Sequence, residues 1–276
     1  MMVTTASAYS GISYRIRRAA LMTAYTLLIG LSATDSHAKS PFQSAQHFIE
    51  TGQHTEARRA LKSELRMRPE NIEARYNLAV LLENIDHPQQ AQALYEENLT
   101  YAWHLPSIIN LAVLLQRQGK MEQARLWLQQ ATAKIKNEAT PWYLLAAMAD
   151  KEDKPVKAVS LYREALKADP LNGFAWLHFA DFQSRHNTPG KGLEYAAKAT
   201  RLLPSCAPCW RKYGDILRTA GENRQAVEAF QHSLAIEPDN KTRQHLIDAL
   251  RSLGQYERAD RMQQALNAWR RSRLNE

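Results

Sequence analysis

The chain has 276 residues and a formal net charge of +8, with 45% hydrophobic and 23% charged residues. A chain of this length would ordinarily form two globular domains. The positive charge favours acidic partners or surfaces in general. However, acidic residues are mixed with the basic ones throughout, and no basic run with interleaved aromatic residues occurs. The composition therefore argues against a nucleic-acid-binding protein.

The N-terminal residues differ in composition from the rest of the chain. Residues 1–34 contain three arginines and no acidic residue, and the apolar run from Ala19 to Ala33 is followed by Ser36-His37-Ala38. This pattern predicts a secretory signal peptide over residues 1–38, cut after Ala38. The run is shorter than the ~20 residues of a membrane span, so we expect an exported, periplasmic bacterial protein with no span after cleavage. A retained membrane anchor is the alternative, whereas the continuous apolar core argues against a mitochondrial transit peptide.

From Ser40 onward, aromatic and proline residues recur at a fixed step. Three tryptophans and three prolines are each spaced by 34 residues: Trp142, Trp176, Trp210, Pro170, Pro204 and Pro238. Within residues 208–240, two apolar stripes at helical spacing are separated by Gly221. Each unit is therefore predicted to form two short helices that fold back on each other. A fixed step of this length predicts an array of helical repeats, because an ordinary bundle has no reason to keep it.

Small residues and turn residues follow the same step. Small side chains are needed where the two helices cross closely, and they are predicted at Ala45, Ala79, Ala112, Ala146, Ala180 and Gly214 on the first helix and at Ala57, Ala91, Ala124, Ala158, Gly192, Ala226 and Ala259 on the second. The turn between the helices is predicted at Gly52, Asp86, Gly119, Asp153, Asn187, Gly221 and Gly254. These positions define six clear repeats and a degenerate seventh.

The unit resembles the tetratricopeptide repeat. The family pattern W-x2-L-G-x2-Y, A-x3-F and P is matched by Trp210, Gly214, Ala226, Phe230 and Pro238, with Tyr213 for the Leu and Leu217 for the Tyr. The resemblance implies an all-α fold, an α-solenoid of about seven helix-turn-helix repeats that form a right-handed superhelix. One continuous array is expected over residues 39–269, with repeats near 38–71, 72–104, 105–138, 139–172, 173–206, 207–239 and 240–269. A basic capping helix is expected over residues 261–276, where Arg270, Arg271 and Arg273 surround Trp269.

Repeats two and three depart from the pattern near their ends, at the position where the repeat pattern has proline. Trp103 and Lys136 stand where proline is expected, and the aromatic segment 99–105 carries a one-residue deletion. Either the array bends there while the aromatic rings fill irregular packing, or an exposed aromatic cluster serves a partner. The packing interpretation is favoured.

Cys206 and Cys209 are the two cysteines of the chain. In an exported protein, such a pair favours a local structural disulfide, with two plain thiols or a redox pair as alternatives. The βαβ pattern that accompanies the cysteines of a thiol oxidoreductase is absent. Covalent haem attachment would need a histidine after Cys209, and a zinc site would need two further ligands at suitable spacing. The sequence therefore predicts no metal and no cofactor. A thiol-redox accessory protein that uses Cys206 and Cys209 is kept as an alternative function.

No catalytic motif is present, since G-x-S-x-G, H-E-x-x-H and the phosphate-binding G-x-x-x-x-G-K do not occur. The resemblance implies a non-catalytic scaffold that binds a protein or peptide partner in a concave groove, such as an assembly or accessory factor of a bacterial envelope complex. A membrane-anchored assembly factor is the alternative if the N-terminal segment is retained. The sequence indicates neither the identity of the partner nor the oligomeric state.

In tetratricopeptide repeats the concave face comes from the first helix of each repeat, and the resemblance places partner-binding residues there. In repeats one to four these are apolar or aromatic: Phe42, Tyr76, Val80, Ile109, Val113 and Tyr143. In the later repeats they are charged: Asp181, Asp215, Asp248, Arg185, Arg211, Arg218 and Arg251. We therefore expect a split groove, with apolar anchor sites first and carboxylate-binding arginines after them. The alternative is that the valines only pack between helices and the charges are solvated.

Overall fold

The structure, a computed structural model, describes residues 40–186 and 189–274. All regular secondary structure in these residues is α-helical. The signal-peptide prediction for residues 1–38 and the turn prediction at Asn187 lie outside the described residues. In chain order the helices are α1 (Pro41–Glu50), α2 (His54–Met67), α3 (Ile72–Asn84), α4 (Pro88–Tyr101), α5 (Leu105–Arg117), α6 (Met121–Lys134), α7 (Ala139–Lys151), α8 (Pro155–Ala168), α9 (Gly173–Arg185), α10 (Pro189–Leu202), α11 (Ala207–Thr219), α12 (Asn223–Ile236), α13 (Asn240–Ser252) and α14 (Tyr256–Leu274).

Consecutive helices pack against each other as pairs, and we call the first helix of each pair helix A and the second helix B. The chain forms two compact units, the first ending at Lys134 and the second beginning at Ile135. The first unit contains the pairs α1–α2, α3–α4 and α5–α6, and the second contains α7–α8, α9–α10, α11–α12 and α13–α14. The predicted all-α fold of about seven helix pairs is confirmed, whereas the single continuous domain stays a prediction.

The turns between helices A and B adopt the left-handed backbone conformation. Asp86 and Asp153 have φ of 61° and 55°, and the four glycines at the equivalent positions have φ between 73° and 85°. Glycine has no Cβ to clash in this conformation, and the short polar side chain of aspartate tolerates it. Every predicted turn residue that the structure describes is thus confirmed.

The predicted crossing positions are all buried, at the places where helices A and B approach each other. Gly214 shows why a small residue is required. A Cβ atom added there would lie 2.5 Å from Cε1 of the Phe230 ring, which is itself fully buried. The close packing of helices α11 and α12 therefore depends on the missing side chain.

The recurring tryptophans and prolines are joined by a hydrogen bond. The indole Nε1 of Trp176 donates to the carbonyl oxygen of Pro170 at 2.8 Å, and that of Trp210 donates to Pro204 at 2.9 Å. Each bond connects the first turn of a helix A to the loop that precedes it. In these two repeats, the shared contact accounts for the common step of the tryptophan and the proline.

Helix α14 carries polar residues at positions where helix α12 is apolar. In α12, Val227 and Phe230 are buried in a core that includes Ile247 and Leu250 of the next helix A. Their equivalents in α14, 33 residues on, are Asp260 and Gln263. Because burying polar side chains costs free energy, α14 has a more polar outer face than α12.

Candidate partner-binding site

The helix A residues predicted to bind a partner in the first unit differ in exposure. Phe42, Val80, Ile109 and Val113 are half-buried, so part of each apolar side chain reaches solvent. Tyr76 is only 6% exposed. The first unit thus presents a modest apolar surface along helices α1, α3 and α5, which we call the apolar A face.

Tyr76 serves packing between the second and third helix pairs. The Asn110 Nδ2 donates to the hydroxyl oxygens of Tyr76 and Tyr95, at 3.3 and 3.0 Å. The Tyr76 ring also meets the edge of the His104 ring, with centroids 5.1 Å apart. Helical spacing places Tyr76 on helix A, but it does not reveal the neighbouring pair that encloses the ring. Tyr76 therefore offers little area to a partner, unlike Val80 and Val113.

An ion pair borders the apolar A face. The Arg117 guanidinium on α5 lies 2.9 Å from Glu83 on α3, and the Tyr95 hydroxyl donates to the same carboxylate at 3.2 Å. These contacts join the two helices A of neighbouring pairs. Val80 and Val113 are half-buried residues of these same two helices.

In the second unit, the predicted aromatic residue Tyr143 stacks on His178. The two ring centroids are 4.7 Å apart with an interplanar angle of 12°. Removal from water, opposed by Asp181 and assisted by Lys212, lowers the pKa of His178 to about 4. The imidazole is therefore neutral at pH 7, and the stacked pair presents an uncharged aromatic surface.

A series of acid–base pairs joins the helices A of the second unit. Asp150 on α7 accepts from Arg185 at 2.7 Å and contacts His186 at 2.7 Å, Asp181 on α9 accepts from Lys212 at 2.9 Å, and Asp215 on α11 contacts His245 at 2.6 Å. In each case the acid lies on one helix A and the base on or just after the next. Burial raises the pKa of Asp181, but the Lys212 ammonium and the Arg185 guanidinium outweigh it and hold that pKa below its ordinary value.

Most arginines predicted to hold carboxylates of a partner already contact carboxylates of this chain. Arg185 lies 3.4 Å from Asp181 as well as contacting Asp150, Arg211 lies 3.2 Å from Asp239, and Arg251 lies 3.2 Å from Asp260. Arg218 is exposed and forms no ion pair with the residues that the structure describes. The sequence could not show these pairs because the partners of Arg185 and Arg211 are 35 and 28 residues away along the chain. We call the surface formed by Tyr143, His178, Arg218 and these pairs the charged A face.

The aromatic residues Tyr101 and Trp103, at the end of α4 and just after it, contact cationic side chains of the first unit. The Lys134 ammonium lies 4.2 Å from the centroid of the half-buried Trp103 ring, and the Arg75 guanidinium lies 4.3 Å from that of Tyr101. Tyr101 nevertheless remains exposed. The packing interpretation fits Trp103, and Tyr101 contributes one face of its ring to a cation–π contact.

Cys206 and Cys209 form a disulfide at the start of helix α11. Cys206 is the N-cap residue, and its sulfur accepts from the backbone N–H of Cys209 at 3.2 Å. Cys209 is fully buried beside Leu177 and Ala199. The disulfide thus fixes the first turn of helix α11 against the preceding pair.

Within residues 40–186 and 189–274, no three His, Cys, Asp or Glu side chains are grouped so that they could hold a metal ion. In the same part of the chain, no helix has the length and apolar character needed to cross a membrane.

Comparison with known sequences finds the repeat in three stretches of the chain. Residues 48–99, 107–137 and 207–240 each match a model described as tetratricopeptide repeat. Tetratricopeptide repeat protein 7A of Homo sapiens is 24% identical over 130 residues, which are 47% of this chain and 15% of that protein. The chain thus spans only a small part of this relative's length.

Solved structures with similar folds are also tetratricopeptide-like helical arrays. A chain from the APC/C hetero-tetramer Cut9–Hcn1 has a TM-score of 0.61 at 16% identity, covering 88% of this chain and 46% of that one. A tetratricopeptide repeat protein from Parabacteroides merdae has a TM-score of 0.59 at 15% identity, covering 83% and 91%. Such identities show the fold alone. The repeat motifs, the helix pairs and the three sequence matches together make this chain a member of the tetratricopeptide repeat family.

Proposed function

We propose that the chain is a non-catalytic scaffold that binds a protein or peptide partner through its A faces. Tetratricopeptide arrays are protein-interaction scaffolds, and the helices A supply their extended binding surface. The observation that carries the proposal for this chain is the half-buried state of Phe42, Val80, Ile109 and Val113. These side chains are neither fully packed nor fully solvated, so a partner segment can bury the remainder of each.

The two A faces suit different parts of a partner. The apolar A face offers sites for the apolar side chains of an extended or helical segment. On the charged A face, the exposed Arg218 is available for a carboxylate. Arg185 is 49% exposed, although its internal partner Asp150 is only 10% exposed. A partner's carboxylate can therefore approach the solvent side of the guanidinium while the contact with Asp150 is kept.

We also propose that the chain works outside the cytoplasm, as an assembly or accessory factor of a bacterial envelope complex. The arginine-containing, acid-free N-terminus with its apolar run supports export. The Cys206–Cys209 disulfide supports an oxidising compartment. N-terminal sequencing of the protein recovered from its host tests this point. A start at Lys39 is expected, and a start at Met1 in a cytoplasmic fraction would contradict it.

The binding proposal is tested with variants on opposite helices of the first unit. Val80→Asp combined with Val113→Asp places charges on the apolar A face, and we expect the affinity for a partner isolated with the wild-type chain to fall at least about tenfold, which corresponds to ~1.4 kcal/mol. Leu126→Asp is the control, because Leu126 is 56% exposed on helix α6, a helix B. Circular dichroism melting establishes that both variants fold. Equal affinity of the double variant and the control would contradict binding at the apolar A face.

A further inference from the structure

One edge of the second unit combines exposed apolar residues with cations. Leu171, Ile236 and Trp269 are 75%, 37% and 45% exposed. Arg201, Arg270 and Arg271 are exposed as well, and none of the three forms an ion pair with any residue that the structure describes. We call these six residues the basic edge.

The basic edge follows from the way in which the helix pairs repeat. Ile236 is the last residue of α12, Arg201 lies one residue before the end of α10, and Leu171 follows the end of α8. Trp269, Arg270 and Arg271 lie in the last turns of α14. The equivalent contacts between successive helices A show that the pairs stack in the same orientation. The C-terminal ends of the helices B are therefore neighbours along one edge of this unit.

The charge of the helices B differs between the two units. Helices α8, α10, α12 and α14 contain 12 Lys and Arg residues and five Asp and Glu residues, whereas α2, α4 and α6 contain six and five. The excess of cations thus belongs to the helices B of the second unit. A helix dipole favours cations at its C-terminal end, but it gives no reason for large apolar side chains to be exposed beside them.

Helix α14 contributes most to the basic edge. It has 19 residues, whereas the other helices B each have 14. The five additional residues extend it by about 7.5 Å. Its apolar stripe of Ala259, Met262 and Leu266 is buried or half-buried, and Trp269 continues the same stripe into solvent. Trp269 is thus the fourteenth residue of α14, and the five additional residues that follow it include the exposed Arg270 and Arg271.

We propose that the basic edge binds the surface of an anionic phospholipid membrane. Arginines attract anionic headgroups, and exposed Trp, Ile and Leu side chains insert at the boundary between headgroups and acyl chains. Tryptophan is enriched at this boundary because its ring is apolar while its N–H is polar. This proposal is independent of the A faces, which lie on the other helices of the pairs.

The test measures binding of the full chain to phosphatidylcholine vesicles with and without phosphatidylglycerol, by co-sedimentation. A chain beginning at Lys39 retains every described helix and removes the contribution of the apolar N-terminus. We expect both proteins to bind the anionic vesicles more tightly, with a preference that weakens at high salt. A triple variant combines Arg201→Gln, Arg270→Gln and Arg271→Gln. Each arginine near the membrane surface contributes about fivefold to the affinity, so the triple variant should bind on the order of a hundredfold more weakly.

A matched variant removes the same charge from the opposite ends of the helices B. The variant combines Lys157→Gln, Lys191→Gln and Arg224→Gln, whose residues lie in the first turns of α8, α10 and α12. It should bind the anionic vesicles within about threefold of the wild type, because salt screens charges that are distant from the membrane surface. Trp269→Ala should weaken binding, whereas Val156→Ala, at an 85% exposed position of α8, should not.

Three results would overturn the proposal. The first is equal binding to neutral and anionic vesicles by the chain beginning at Lys39. The second is an equal loss in the two triple variants, which would mean that only net charge matters. The third is binding of soluble polyglutamate as tight as that of the vesicles and unaffected by Trp269→Ala, which would identify the partner as an acidic polypeptide.

Discussion

At the scale of single residues, the fold depends on side chains that are absent as much as on those that are present. Gly214 and Phe230 illustrate this, because the ring occupies the space that a Cβ on Gly214 would need. The same crossing position holds alanine in the other described repeats. Ring size alone does not require the glycine, because Tyr95 and Tyr162 stand at the equivalent position in repeats whose crossing residue is alanine. The placement of the Phe230 ring against Gly214 requires it.

Gly214→Ala is expected to destabilise the protein. The new methyl group would lie 2.5–2.9 Å from three atoms of the Phe230 ring, so helices α11 and α12 must separate or the ring must leave its position. Overpacking of this kind costs about 1–3 kcal/mol. Urea unfolding measures the change.

Gly190→Ala is the control for this substitution. Gly190 lies in helix α10, and a Cβ added there would have no atom within 4 Å. Alanine is a better helix former than glycine by about 1 kcal/mol, so this variant should be unchanged or slightly more stable. Equal destabilisation by the two substitutions would show that the contact with Phe230 is not the cause.

At the scale of elements, the junction of α4 and α5 has Trp103 where the repeat pattern has proline, and other contacts hold it together. Asn98 is fully buried there, and its Nδ2 donates to the Ile72 carbonyl and to the Ser107 hydroxyl, both at 3.0 Å. Its Oδ1 accepts from the buried Arg75 guanidinium at 3.3 Å. One amide thus connects α3, α4 and α5. The junction is held by a buried polar network.

Asn98→Leu should destabilise the first unit by about 2–4 kcal/mol, because Arg75, Ser107 and the Ile72 carbonyl each lose a buried hydrogen-bond partner. Guanidinium unfolding of the variant measures the loss. Glu97→Gln is the control, since Glu97 is half-exposed and pairs with the same Arg75 at 3.1 Å. Glutamine keeps a side-chain oxygen that can accept from Arg75, so the cost of this control should be smaller than that of Asn98→Leu. A larger effect for Glu97→Gln than for Asn98→Leu would contradict the proposed role of the network.

The sequence allowed local features of the fold to be predicted, and long-range ones less well. The left-handed turns at Asp86 and Asp153 and the small crossing residues follow from backbone geometry and helix spacing, which a 34-residue period displays directly. The partners of Asn98 could not be predicted, because Arg75 is 23 residues away and both depart from the repeat pattern. The burial of Tyr76 also depends on the neighbouring helix pair. For the same reason, the exposure of a candidate site residue is the least predictable feature.

At the scale of the whole molecule, the repeats divide between two units with different surface chemistry. The apolar A face belongs to the first unit and the charged A face to the second, and the cation excess of the helices B also belongs to the second. In the second unit, helix α14 has the polar residues Asp260 and Gln263 at positions that are apolar in α12. A scaffold built in this way can offer separate surfaces to a partner and to a membrane.

Site-specific photo-crosslinking in living cells tests the central claim, that a protein partner binds the A faces. A photoreactive amino acid replaces Val113 on the apolar A face in one variant, Arg218 on the charged A face in a second, and Leu126 on helix α6 in a third. We expect adducts with the same partner protein from Val113, from Arg218 or from both, and none from Leu126. Adducts from Leu126 alone, with none from Val113 or Arg218, would contradict the claim and place the partner on the helices B.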